Sequence, residues 1–160
     1  NDQASYILTV KYKDKGANEM PALTNQKNLI IRNPRLQAED YDGYNNIARV
    51  RPSGGAFSYI KGVKSGSYIV FREIDLTELK AATYNLRAMS NGTKVSLRID
   101  SPNGPIISEV EVPDQENDKN YHQIPSSIKP TQGVHDLFIY FENKDLDNQL
   151  LQLDWIDLSK

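Results

Sequence analysis

Gln37, Glu39 and Asp154 are the side chains whose types and spacing first suggest chemistry. They sit in two short runs near opposite ends of the chain, Leu36-Gln37-Ala38-Glu39-Asp40-Tyr41 and Leu151-Gln152-Leu153-Asp154-Trp155. In an extended strand alternate side chains share a face, so Gln37 and Glu39 offer two oxygen donors about 7 Å apart on one side. Asp154 alternates with Leu151, Leu153 and Trp155, which read as one apolar, core-facing row, and it supplies a third oxygen if the two strands are neighbours. Amide and carboxylate oxygens without His or Cys are the donors a hard cation takes, and Ca²⁺ suits a flexible set of about six to eight. The plainer reading is two acidic strands facing water.

Catalytic constellations are poorly supported. Of the two histidines, His135 falls in the Gly133-Val134-His135-Asp136 turn, where a hydrogen-bonded structural role fits best. His122 has no nucleophile at a recognisable spacing, and neither a G-x-S-x-G elbow nor an H-E-x-x-H helix occurs. Two carboxylates across a cleft can hydrolyse a glycoside, but among 21 acidic residues such a pair arises by chance. The aromatic residues are more informative. Tyr41, Tyr44, Tyr59 and Tyr121, four of the nine tyrosines, lie in or beside expected loops. An exposed planar ring beside amide partners is an economical way to hold the apolar C–H face of a sugar, although an amphipathic Tyr at a loop edge needs no ligand.

The elements that must position these groups are strands. Tyr6 to Tyr12, Leu29 to Ile31, Gly66 to Ile74, Tyr84 to Ala88, Val95 to Ile99, Ile106 to Val112, Ile124 to Ile128, Leu137 to Phe141 and the closing run with Trp155 are β-rich or alternate apolar with polar. With the Gln37–Glu39 strand this makes about ten short strands, the pattern of an all-β sandwich or barrel. Asn91-Gly92 between two alternating runs reads as a β-hairpin turn. Asp75 to Ala82 is the only helix-like piece and is long enough for a turn or two. The stretches Lys13 to Asn28, Asp114 to Asn120 and Glu142 to Gln149 read as loops.

Composition sets outer limits. At 160 residues the chain suits one ordinary domain, and its net charge of -2 argues against a nucleic-acid footprint. Absence of cysteine excludes disulfides, thiolate zinc and a cysteine nucleophile. No apolar run approaches the length of a membrane span, and no signal peptide is visible. The chain opens Asn1-Asp2-Gln3 without Met, and we expect a piece excised from something longer.

Taken together, Leu36 to Tyr41, Gly66 to Phe71, Asp100-Ser101-Pro102-Asn103-Gly104, Gly133 to Phe141 and Leu153-Asp154-Trp155 resemble the family 6 carbohydrate-binding modules, in order and in spacing, over about residues 35 to 159. The leading piece, Ile7 to Arg32, is similar to the segment that precedes such modules in large secreted bacterial proteins with sugar-oxidising or sugar-cleaving domains. The resemblance implies a jelly-roll β-sandwich over residues 35–160, with residues 1–34 as an N-terminal strand segment packed on it or leading into it. It implies a structural Ca²⁺ on Gln37, Glu39, Asp154 and backbone oxygens of the loop after the first family strand. It also implies an end-of-sandwich sugar site gripped by two aromatics. Tyr121 matches one, often Trp in the family, and Phe57 or Tyr59 matches the other, although the spacing from Tyr59 to Gly66 is longer than usual. Asn148 is the first choice to read sugar hydroxyls, with Asn143 or Gln152 as alternatives, and Arg72 or Arg98 are candidates for a second site on the concave face.

The implied protein is a secreted, periplasmic or cell-surface, non-catalytic and monomeric module that binds xylan, β-glucan or galactan. It holds a covalently attached catalytic domain near that substrate, without nucleic-acid or membrane partners. Two rival readings stay open. One is a structural or interaction sandwich that has lost sugar binding, consistent with Tyr121 where the family often has Trp. The other is a small glycoside-acting enzyme.

Overall fold

The computed structural model describes residues 6–16, 21–113, 119–147 and 149–160. Most of the expected 114–120 loop, residues 114–118, lies outside the described residues. The chain divides into two compact units, Asn1–Asn33 and Pro34–Lys160.

The first unit is a hairpin of β1 (Tyr6–Lys13) and β2 (Thr24–Ile31), paired from Tyr6↔Ile31 to Lys13↔Thr24. β2 begins at Thr24, inside the stretch expected to be loop. The eight residues of β1 template polar partners of low strand propensity, and Thr9 Oγ1 donates to Asn28 Oδ1 at 3.0 Å across the pair. Asp14 closes the open end by accepting from the Gly16 and Leu23 amides at 2.9 Å each.

The second unit is a two-sheet antiparallel sandwich, the architecture expected of a jelly roll. Its remaining strands are β3 (Arg35–Gln37), β4 (Gly43–Asn45), β5 (Ala48–Val50), β6 (Tyr59–Lys61), β7 (Tyr68–Asp75), β8 (Ala81–Ala88), β9 (Lys94–Ile99), β10 (Ile106–Glu111), β11 (His122–Ser127), β12 (Val134–Glu142) and β13 (Leu151–Ser159). One sheet has the order β10-β9-β12-β7-β4, and the other has β11-β8-β13-β6-β5 with β3 also on β13. Alternation fills the space between them: Leu137, Ile139 and Phe141 of β12 and Tyr84 and Leu86 of β8 are all buried. Pro125 is tolerated because β11 is an edge strand.

β13 breaks the simple alternation. Its pairing with β8 slips between Leu153↔Leu86 and Trp155↔Asn85, a β-bulge at Asp154. Leu151, Leu153, Ile156 and Leu158 therefore all face inward, and Trp155 faces out. The expectation of Trp155 as core is thus corrected: it is half-buried, with the Arg35 guanidinium 4.0 Å above its ring. The bulge also limits β3, whose ladder with β13 runs only through Asp157↔Arg35, Ile156↔Leu36 and Trp155↔Gln37. Beyond Gln37 the chain leaves the ladder, and Ala38–Asp40 form a single 3₁₀ turn. Gln37 and Glu39 are therefore not alternate residues of one strand.

Two turn expectations also change. Asn91-Gly92 does not join a hairpin, since β8 and β9 belong to different sheets. The segment crosses the end of the sandwich, held by Met89 N–H to the Leu150 carbonyl at 3.0 Å and by the Ser90–Thr93 hydroxyl pair. The helix-like Asp75–Ala82 run splits into the end of β7, a turn and the start of β8. Asp75 accepts from the Thr77 amide at 2.9 Å, and Glu78 has φ +64°, which no continuing helix permits.

The β9–β10 connection depends on Gly104. A Cβ there would lie 1.9 Å from the Ile99 carbonyl oxygen and 3.0 Å from that of Ser101. Gly104→Ala is expected to destabilise the fold by roughly 2 kcal/mol, about 4–8 °C in Tm for a chain of this size. Thermal denaturation checks this, and an unchanged Tm would contradict the turn geometry.

Candidate functional site

Three aromatic rings gather at one end of the six-stranded sheet. Tyr59 opens β6, and because Ile60 is buried, Tyr59 and Lys61 both face outward. Ile60 pairs with Leu153, which places outward-facing Gln152 of β13 on the same surface. Tyr121 arrives just before β11, whose first residue pairs with Leu86 of β8. Phe57 leans over from the loop before β6. Its ring centroid is 5.1 Å from that of Tyr121 at an edge-on 88°, and Tyr59 lies 6.2 Å from Phe57 and 6.3 Å from Tyr121.

Phe57 remains 53% exposed, so a large apolar surface faces water. Tyr121 is half-buried, and its hydroxyl donates to Gln152 Oε1 at 3.0 Å. Burial first, then Tyr59 and Asp154, push its pKa upward, so the phenol stays neutral. Beside the rings is an open cleft of about 370 Å³ lined by Tyr59, Lys61, Lys64, Met89, Gln149 and Gln152, among others. A ring surface bordered by amides and a phenol can cover an apolar face and exchange hydrogen bonds with hydroxyls at its rim.

The oxygen cluster is distinct from the rings. Glu39, in the 3₁₀ turn, and Asp154, at the bulge, are buried carboxylates 5% and 8% exposed. Burial raises both pKa values. For Glu39 the charges of Asp40 and Asp154 add to the rise, and for Asp154 hydrogen bonding from Asn85 opposes it. Asn85 Nδ2 donates to Asp154 Oδ2 at 2.8 Å, whereas Glu39 Oε2 is buried without a partner. Gln37 pairs with Trp155, one residue from Asp154. Two desolvated carboxylates with an orphaned oxygen, beside an amide, fit a hard cation.

The other expected site residues disperse. Asn148 lies outside the described residues. Asn143 is buried and spent on the fold: Nδ2 donates to the Asn91 carbonyl at 2.7 Å, and Oδ1 accepts from the Asp145 and Leu146 amides. It therefore has no group left to read a sugar hydroxyl. Tyr41 and Tyr44 stack on each other at 5.0 Å where β4 edges the other sheet. On that sheet Arg98 is engaged by Ser96, by the Pro102 carbonyl and by the Tyr140 ring, and Arg72 is exposed. Lys61, Lys64 and Met89 went unnoticed as cleft residues. Lys61 was discoverable, since two residues along a strand from Tyr59 is the same face.

The sequence profile described as carbohydrate binding module (family 6) matches residues 37–160. The chain belongs to this family. It is 25% identical over 126 residues to an endo-1,4-beta-xylanase A of Thermoclostridium stercorarium, covering 78% of this chain and 23% of the relative. It is 27% identical over 105 residues to an arabinoxylan arabinofuranohydrolase of Paenibacillus polymyxa, covering 64% of this chain and 16% of the relative. The module thus spans under a quarter of the length of these curated relatives. A family 6 carbohydrate-binding module from Clostridium cellulolyticum, solved in complex with xylose, superposes with a TM-score of 0.70 at 22% identity over 79% of this chain and 96% of its own.

His135 of the module is structural, as expected. Its Nδ1 lies 3.0 Å from Asp100 Oδ2 and its Nε2 lies 3.0 Å from the Gln132 carbonyl. Both neighbours are acceptors, so only the imidazolium donates to each, and the Gln132 carbonyl and Asp100 raise its pKa above 6.5. This stabilisation is fully present below the unfolded-state pKa and is lost as pH rises through the raised folded-state value. The Tm gap between the natural module and His135→Gln should be largest near pH 6 and shrink toward pH 9. A gap independent of pH would exclude the imidazolium pairing.

Proposed function

We propose that this family 6 module is a non-catalytic anchor that binds a xylan-, β-glucan- or galactan-type polysaccharide on the surface made by Phe57, Tyr59 and Tyr121, with Gln152 beside it. The exposed Phe57 ring packed edge-on against Tyr121 at the mouth of the cleft is the observation that carries this reading. Residues 1–34 lead into the module within a longer, secreted, monomeric protein, and a catalytic domain in that protein is held close to the polymer. Tethering acts through effective concentration, so a Kd of about 10 μM to 1 mM suffices.

Phe57→Ala and Tyr121→Ala are expected to weaken binding of xylo-oligosaccharides by about ten-fold or more, by calorimetry or on a xylan gel. Phe57→Ala should do so with little change in Tm, since that side chain is largely exposed. Retained binding in both variants would remove the site. A second reading, an interaction module without sugar binding, is favoured by the Tyr121 hydroxyl being already satisfied by Gln152. Failure of the natural module to bind any of the three glycan classes would select it.

We also assign Gln37, Glu39 and Asp154 as ligands of a structural Ca²⁺, on the strength of the orphaned Glu39 oxygen and the paired desolvated carboxylates. The ion would neutralise two buried charges and tie the 3₁₀ turn to β13. At free Ca²⁺ about 100-fold above Kd, linkage adds about 2.7 kcal/mol, or roughly 5–10 °C in Tm. EDTA should lower Tm by this amount and excess Ca²⁺ should restore it. A Tm indifferent to both would remove the assignment.

A further inference from the structure

The charge of the cleft points to a narrower ligand class. Its lining includes Lys61 and Lys64 and no Asp or Glu. Both side chains are exposed, and neither forms an ion pair among the described residues. Gly62, at φ +71°, turns the chain between them so that both border the same opening. A third cation lies behind: Arg87 of β8 pairs in register with Gln152, and its Nε is buried without an acceptor. Lys and Arg commonly cap their charge with a neighbouring carboxylate, and an unpaired buried donor carries a desolvation cost that a ligand acceptor relieves.

The acids nearby do not cancel this set. Asp154, two residues beyond Gln152, is buried and held by Asn85. Asp145 and Asp147, on the loop that ends in Gln149, do not line the cleft. The aromatic surface therefore has a cationic flank on the β6 side.

Resting on the sugar-binding reading above, we propose that the cleft takes an acidic glycan, its ring on the aromatic surface and its anionic group, a uronate carboxylate or a sulfate, against Lys61 and Lys64. Neutral sugars use the rings alone. The charged substituent adds a solvent-exposed attraction of modest size, sensitive to salt because the ammonium groups are exposed.

The test measures affinity of the purified chain for matched pairs: a xylo-oligosaccharide with and without a glucuronic acid branch, and a galactan oligosaccharide with and without sulfate. At low salt at least one acidic member should bind about five-fold or more tightly than its neutral partner, and the ratio should approach one in about 0.5 M salt. The pair that shows the ratio identifies the source of the anion. In Lys61→Gln/Lys64→Gln the ratio should collapse to one, and in Lys61→Arg/Lys64→Arg it should persist. Equal binding of acidic and neutral members by the natural chain overturns this inference and leaves the sugar-binding reading intact. A ratio that survives in the glutamine variant, or polyglutamate held as tightly as the acidic glycan, also overturns it. Failure to bind either member of both pairs overturns both readings.

Discussion

One extra residue in β13 sets most of what is particular about this module. β13 is flanked by β8 on one side and by β6 and β3 on the other, so any change in its register reaches three neighbours. The bulge at Asp154 lets Leu153 and Ile156 both point into the sandwich, although they are three residues apart. It turns Trp155 outward beneath Arg35, ends the β3 ladder at Gln37 and leaves Asp154 buried next to the turn that carries Glu39. Gln152, just before the bulge, keeps its place on the outer surface and holds the Tyr121 hydroxyl.

Two kinds of polar chemistry consequently share one strand without competing. At the bulge, carboxylates are desolvated and mutually repelling, a costly arrangement without a counter-charge and a useful one for fastening the edge of a fold. Two residues away, the surface is aromatic, amide-rich and flanked by cations, which suits contact with a hydroxylated ring. The first environment rests on burial and the second on exposure, and alternation separates them within a few ångströms along the chain.

Alternation was legible where strands are long and one face is buried. The 84–88 and 137–141 runs put Leu86, Leu137 and Phe141 inside as their periodicity demands, and the aromatic candidates Phe57, Tyr59 and Tyr121 converge although 64 residues separate the outermost pair (121 − 57). Local rules failed where the chain changes sheet. Asn91-Gly92 has the composition of a hairpin turn, but β8 and β9 already have their hydrogen-bonding partners in opposite sheets. Leu76 and Leu79 have helical spacing, yet Leu76 is drawn into the core and Glu78 into a left-handed conformation to make the crossing. Asn143 looked free to read a ligand because its four hydrogen bonds to loop and turn come from residues distant in sequence or from its own backbone neighbours.

The sequence by itself determined the β-rich class, the apolar sets that fill the sandwich, the family and the residue types available for binding, because these follow from periodicity and side-chain chemistry along the chain. Only the tertiary structure decided that Glu39 sits in a turn rather than a strand, that Trp155 faces out, that Tyr121 meets Gln152 and that two lysines border the aromatic surface. Each of these depends on the register between strands, and a one-residue slip there moves a side chain to the opposite face.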